Sequence, residues 1–218
     1  MLKIQDPHRE SEHEAAALEL WDGEGAIRLL AHDPEEHALL LERCVPGTPL
    51  SEAGTEASMD VLVGLLPRLW KRAEGFNTIE DEAPHLLEDL ESARDQRLKD
   101  AALSYLNDLV PSQGEPVLVN QDLHGANVLA AEREPWLVID PKPLAAEREF
   151  SAASIVRSNE LGHSKDRVLY RLDRLCSDLG LDRDRAIGWT VVHTVAWSGG
   201  DDRVDPHLEA VRWLLEEA

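Results

Sequence analysis

The stretch from Pro116 to Asp140 constrains the fold of this chain more than any other. Segments with helical periodicity lie on both sides of it. Yet it holds three short β-forming runs, Pro116 to Val119, Val128 to Ala131 and Leu137 to Ile139. The charged turn Glu132-Arg133-Glu134-Pro135 separates the last two, which predicts a β-hairpin. Polar residues stand at the strand ends. A rigid β platform with polar ends inside a helical body suits a functional site, and the mixture points to an α+β fold.

The surrounding periodicity supplies the helices. Leu62, Leu65, Leu66 and Leu69 recur at i, i+3, i+4 and i+7, as one face of a helix does. Leu98, Ala102, Tyr105, Leu106 and Leu109 repeat the pattern, as do Leu169, Leu172, Cys176 and Leu179. Ile187 to Trp197 is apolar on nearly every side, which predicts a buried helix with His193 as a hydrogen-bonded core group. Leu208, Val211 and Leu215 mark a last helix.

The first part of the chain differs. Ser11 and Glu14 have capping-box spacing ahead of a helix that the turn Trp21-Asp22-Gly23-Glu24-Gly25 ends. Strand-like runs follow at Ala26 to Ala31 and His37 to Arg43, joined through Asp33-Pro34-Glu35-Glu36. Cys44-Val45-Pro46-Gly47-Thr48-Pro49 reads as a stiff connector. The expected division is a small β-rich unit over residues 1–43 and a larger helical unit over residues 44–218.

Within the β platform, Asp122 and Asn127 have the D-x-x-x-x-N spacing of a kinase catalytic loop, and Asp140 follows beyond the hairpin. Such a loop needs an acid to orient a hydroxyl nucleophile and accept its proton. It also needs a neutral oxygen ligand for Mg²⁺ and a second acid to hold the metal that bridges the nucleotide phosphates. Asp122, Asn127 and Asp140 supply that set. Asp and Asn also favour turns for local reasons. The D-L-H-G-x-N, hairpin, I-D-P-K succession is far longer than the bare spacing. His124 reads as a residue that positions the loop.

These residues resemble the aminoglycoside phosphotransferases, in particular the streptomycin 6-kinase-like branch of aminoglycoside and hydroxyurea resistance kinases. The resemblance is carried by Gln121-Asp122-Leu123-His124-Gly125-Ala126-Asn127 and by Trp136-Leu137-Val138-Ile139-Asp140-Pro141-Lys142-Pro143. Leu2-Lys3-Ile4, His13-Glu14-Ala15, Leu20-Trp21-Asp22-Gly23, Leu40-Leu41-Glu42-Arg43 and Pro46-Gly47-Thr48-Pro49-Leu50 extend it. It implies a bilobal protein-kinase-like fold and an ATP-dependent O-phosphotransferase using Mg²⁺. By resemblance Asp122 is the catalytic base, and Asn127 and Asp140 bind the metal. Lys3 contacts the α- and β-phosphates and Glu14 pairs with it. The backbone of Glu42 to Cys44 meets the adenine. The favoured acceptor is a cationic, streptomycin-like aminocyclitol, with hydroxyurea or a sugar-like metabolite as alternatives.

Three departures qualify the resemblance, one of which, Pro141-Lys142 after Asp140 where protein kinases have Phe-Gly, matches the streptomycin-kinase-like branch. Kinases of this fold carry a phosphate-covering hairpin ahead of the lysine strand. Here the lysine is residue 3, so the expected small lobe is incomplete. The alternative is a kinase-like protein, non-catalytic or truncated at its N-terminus, that binds a nucleotide or small molecule without transfer. Asn120 also stands two residues before Asp122, where the family usually has His.

Charge bears on the acceptor. Asp and Glu number 43 against 22 Lys and Arg, a net charge of −21. Nucleic acid and anionic membrane surfaces would be repelled, whereas a cationic small molecule would be attracted if the acids cluster. The family places acids of the helical lobe around a cationic sugar. This nominates Asp201, Asp202 and Asp205, with Glu149 and Glu160 as weaker candidates. The two cysteines are far apart and the N-terminus lacks an apolar leader, so a reduced cytoplasm is expected. The sequence contains no H-E-x-x-H zinc motif, no G-x-x-x-x-G-K-[ST] loop and no G-x-S-x-G elbow. The six tryptophans read as core residues rather than as a ligand cage.

Overall fold

A computed structural model describes residues 1–5, 8–198 and 205–217. The small antiparallel sheet has the order β1-β3-β2, from β1 (Leu2–Ile4), β2 (Leu29–Asp33) and β3 (Ala38–Leu41). Lys3 pairs with Leu39. Helix α1 (Glu14–Trp21) packs on the sheet and buries Ala17, Leu18 and Trp21. Trp21 Nε1 donates to the Leu69 carbonyl at 2.9 Å, anchoring α1 to the helical body.

Ser11 does not cap α1. A 3-10 turn at Arg9–Ser11 precedes the helix, and the Ser11 hydroxyl donates to the His8 carbonyl. Glu14 is unavailable for a capping box because its carboxylate is turned into the protein and fully buried. The second strand also starts later than its apolar run suggests. Ala26 and Ile27 leave the small sheet and pair with Val138 instead.

The connector after Cys44 is not a free linker. Pro46–Pro49 forms β4, which pairs antiparallel with β6 (Val128–Ala131), and β6 pairs with β7 (Trp136–Val138). A separate two-stranded sheet joins β5 (Val117–Asn120) to β8 (Pro143–Ala146), with Asn120 opposite Pro143. The loops after β5 and β7 thereby meet at one edge of the platform.

Helices α2 (Thr55–Leu69), α3 (Ile79–Glu91), α4 (Gln96–Leu109), α5 (Ala153–Val156), α6 (Lys165–Leu179), α7 (Arg183–Trp197) and α8 (Pro206–Leu215) build the rest. α7 is the central one and touches α3, α4, α5, α6 and α8. Gly188 sets its approach to α4: a Cβ there would stand 2.6 Å from the Tyr105 ring and 2.8 Å from Leu109. His193, on α7, is enclosed against Phe150, but its Nδ1 has no hydrogen-bond partner among the described residues, contrary to the expected satisfied group. Trp197, at the end of α7, is 58% exposed rather than part of the core.

Candidate active site

Strand β5 delivers its chain to the site through Asn120. The Asn120 side-chain oxygen accepts from the backbone amides of Asp122 at 3.2 Å and Lys142 at 2.9 Å. Gln121 N donates to the Lys142 carbonyl at 2.9 Å. One buried carboxamide thus joins the loop carrying Asp122 to the loop carrying Asp140. The chain then makes a 3-10 turn at Gly125–Asn127. A side chain at Gly125 would bring a Cβ within 2.7 Å of Glu160 and 2.9 Å of the Ser51 amide, so the turn requires glycine.

Asn127 returns toward Asp122. Its Nδ2 donates to the Asp122 carbonyl at 3.0 Å and to Asp122 Oδ2 at 3.1 Å. His124 lies on the other side, with Nε2 3.7 Å from Asp122 Oδ1 and Nδ1 3.2 Å from Glu160 Oε1. Burial would raise the Asp122 pKa, but His124, then Arg157 and His193, outweigh it and hold the carboxyl below its ordinary range. The same neighbourhood raises the His124 pKa, chiefly through Asp122 and against burial. Asp122 is therefore ionised at neutral pH.

Across the cleft, Lys3 Nζ lies 2.6 Å from Glu14 Oε2 and 2.5 Å from Asp140 Oδ1. Burial alone would depress the Lys3 pKa; its bonds to Asp140 and Glu14 override this and raise it. Burial raises that of Glu14, against the Lys3 charge. Gln5 Nε2 also donates to Glu14 Oε2. Lys142 Nζ approaches Asp140 to 3.6 Å. Asp140 occupies a left-handed backbone conformation, φ 47°, which is unusual for a residue with a side chain and common at functional turns.

The residues nominated for metal fit a hard divalent cation. Asn127 spends its Nδ2 on Asp122, which leaves its amide oxygen as the donor atom. Ile139 N donates to the Asn127 carbonyl at 2.9 Å, which holds the turn against the Asp140 loop. One carboxylate and one amide oxygen make a partial set of the kind Mg²⁺ completes with phosphate oxygens and water. Among the described residues no cluster of three or more His, Cys, Asp or Glu side chains is arranged to hold an ion alone.

Other nominated residues lie further out. Glu42 accepts a bidentate pair from Arg133 at 2.8 and 2.9 Å, and the Arg28 amide also donates to it at 2.9 Å. Cys44 is half-buried, with its thiol pKa raised by burial. Glu149 is not brought to the site: it accepts from the Asp182 amide at 3.1 Å, at the start of α7. Asp205 caps α8 by accepting from His207 N at 2.8 Å. Asp201 and Asp202 lie outside the described residues. Glu160 does reach the site and lines a pocket of about 350 Å³ next to Asp122.

That pocket contains groups that spacing alone does not single out. Arg157, Ser158, Asn159, Trp197 and His207 line it together with Asp122, His124 and Glu160. Its floor is held by Arg171, a fully buried cation on α6. Arg171 donates to the carbonyls of Val156 at 3.1 and 2.8 Å, Leu161 at 3.0 Å and Gly162 at 2.8 Å. Burial lowers its pKa to about 10, which leaves it charged at neutral pH. An Arg within the otherwise amphipathic repeat of α6 was the available signal.

Residues 1–202 match the family described as aminoglycoside/hydroxyurea antibiotic resistance kinase. The streptomycin 6-kinase of Streptomyces glaucescens is 38% identical over 94% of this chain and 73% of that protein. The hydroxyurea phosphotransferase of Kitasatospora aureofaciens is 38% identical over 93% of this chain and 63% of that protein. The chain therefore spans about two thirds of the length of these relatives. Among solved structures, the choline kinase LicA of Streptococcus pneumoniae superposes with a TM-score of 0.69 at 13% identity, covering 99% of this chain and 85% of that one. At that identity the likeness is one of fold, and it gives the α+β, protein-kinase-like architecture. From its sequence match over residues 1–202 and its 38% identity to these relatives, the chain belongs to the aminoglycoside/hydroxyurea antibiotic resistance kinase family.

Proposed function

We propose that this protein transfers the γ-phosphoryl group of ATP to a hydroxyl of a small molecule, in the manner of a drug-inactivating kinase. The observation that carries this reading is that Lys3 and Glu14 meet Asp140, while Asn120 and the Ile139–Asn127 bond tie the Asp140 loop to the loop in which Asn127 holds Asp122. The first two come from the small sheet and its helix, the others from the β platform. We take residues 1–43 as the part that covers the nucleotide and residues 44–218 as the part that receives the acceptor.

In this reading the acceptor hydroxyl sits beside Asp122, which accepts its proton as the acceptor oxygen bonds to the γ-phosphorus. The bond from that phosphorus to the β,γ-bridging oxygen breaks, giving ADP and a phosphate monoester. Lys3 leaves Asp140 for the α- and β-phosphates while Glu14 keeps hold of it. Mg²⁺, when bound by Asp140 and Asn127, neutralises charge on the phosphates. Asn127 also fixes the Asp122 side chain, so catalysis is chiefly positioning and electrostatics.

The relatives' names supply two acceptor types, streptomycin and hydroxyurea. The net charge of −21 attracts a cationic acceptor from a distance, and the groups lining the pocket decide which type is held. Transfer of ³²P from γ-labelled ATP with Mg²⁺ to streptomycin, other aminoglycosides and hydroxyurea tests the reading, with Asp122→Ala and Asp140→Ala alongside. Transfer to one acceptor that both substitutions abolish supports it. Failure of every acceptor, also with a chain extended at its N-terminus, overturns it in favour of binding without transfer.

A further inference from the structure

The pocket beside Asp122 contains a cation that has no hydrogen-bond or ion-pair partner among the described residues. Arg157 ends α5 and is only 5% exposed. Its guanidinium lies over the Trp197 ring, 4.6 Å from the centroid. Among the described residues it donates no hydrogen bond and forms no ion pair, and its Nη1 is buried without an acceptor. The Arg157 carbonyl is engaged, 3.0 Å from His207 Nδ1, so the backbone is held while the side chain is unsatisfied. Burial lowers its pKa to about 10, and it stays charged at neutral pH.

Arg171 provides the contrast. Equally buried and about four turns of chain away, it finds three carbonyl partners. Among the described residues one interior guanidinium is satisfied in full and the other, in the pocket, is left open. Buried donors without acceptors are costly and rare in native proteins. Where one is kept beside a reacting group, a ligand oxygen is the natural partner.

The acids of the pocket are already engaged. Asp122 is held by Asn127, and Glu160 lies against His124. Each carboxylate of the described lining thus has a neighbour from the protein, whereas the Arg157 guanidinium has no acceptor. The volume of about 350 Å³ is also at the small end for ligand pockets.

We propose that Arg157 selects the acceptor by donating to a carbonyl or carboxylate oxygen on it, which turns the neighbouring hydroxyl toward Asp122. The class so defined is a small, neutral or anionic hydroxyl compound with an sp² oxygen a few bonds from the hydroxyl: an N-hydroxyurea, a hydroxamate or an α-hydroxy acid. The planar guanidinium fork matches such oxygens. A guanidinium or ammonium group placed at the same point meets like charge, which disfavours it there. The orienting role rests on the phosphotransferase reading; the binding role does not.

Calorimetric titration and steady-state transfer test this together, with hydroxyurea, acetohydroxamate, glycolate and streptomycin as probes. Arg157→Gln is expected to weaken binding of the sp²-oxygen probes at least tenfold and to raise their KM in proportion. The KM for ATP stays within twofold. Arg157→Lys, which keeps the charge but not the fork, weakens them about fivefold and covers the case where the Gln variant fails to fold. The proposal is overturned if both variants bind the probes as the native protein does, if kcat falls alike for every acceptor at constant KM, or if the native protein binds streptomycin and none of the others. Arg157-dependent binding without transfer would sink the kinase reading and leave this one standing. Transfer with an acceptor KM insensitive to Arg157 would do the reverse.

Discussion

Lys3 Nζ lies 2.5 Å from Asp140 Oδ1 and so closes the cleft between residues 137 positions apart in sequence. The lysine proposed to meet the nucleotide and the carboxylate proposed to hold the metal form an ion pair in the free protein. Glu14, fully buried, shares the same ammonium.

Replacing Lys3 with Met leaves Glu14 as a buried carboxylate without its cation. Loss of one partner of such a pair costs about 3 kcal/mol, to be read from urea denaturation. The double variant Lys3→Met/Glu14→Gln is expected to regain most of that stability while transfer stays below a hundredth of native. Recovery of transfer along with stability would show that Lys3 acts only on folding.

Asp122→Ala and Asn127→Ala separate the base from its holder. The first removes the proton acceptor, for a fall in kcat of about 10³. The second frees Asp122 and takes away an oxygen ligand, so the Mg²⁺ concentration for half-maximal rate rises as well. Single-turnover rates across a Mg²⁺ series distinguish the two.

Arg171→Met should loosen the pocket floor. The carbonyls of Val156, Leu161 and Gly162 lose a charged donor, and the fold loses about 3 kcal/mol. Hydrogen exchange is expected to speed up over residues 156–162. The KM for the acceptor rises more than that for ATP.

Two histidines give opposite pH signatures. The His124 pKa is raised in the folded protein by Asp122, so its contribution to stability is complete below about pH 6.5 and fades as pH rises through the higher folded value. Thermal midpoints of His124→Gln should therefore fall furthest below native at pH 5.5 and converge with it at alkaline pH. Burial pushes His193 down to about 3. Between that value and the ordinary histidine range the unfolded chain binds a proton that the native one refuses, so stability falls as pH falls. His193→Leu is expected to flatten the acid side of the same curve, and an unchanged acid limb would refute the assignment.

Much of this was legible in the sequence, for identifiable reasons. β6 is found where Val128 to Ala131 predicts it, and the charged turn after it holds. The helices with clear apolar stripes, α2, α4, α6 and α7, fall on their periodicities. β8 was missed because Pro143 to Ala146 is buried throughout, so it lacks alternation, and its alanines are poor strand formers. α3 was missed because Pro84 and six acids hide the thin stripe of Ile79, Leu86 and Leu90. The loop motif leads to Asp122, Asn127 and Asp140, since their spacing is local. Arg157 was not legible, since a buried arginine looks like a surface one until its partners, or their absence, are known; Arg171 left only its place on the apolar face of α6 as a sign.

The two places where the chain crosses between the small sheet and the body are both stitched. Gly25 to Ile27 exchange hydrogen bonds with Val138, β4 is laddered to β6, and Arg133 donates to Gly23 and Ala26 as well as to Glu42. Glu42 N still donates to the Arg28 carbonyl, so among the described residues the stretch without backbone bonds between these seams is Arg43 to Val45. The segment proposed to face adenine is thus ordered when the chain folds, not when nucleotide arrives. Such preorganisation moves the entropic cost from binding to folding. Nucleotide should then associate in a single fast phase, without a slow closing step in its kinetics.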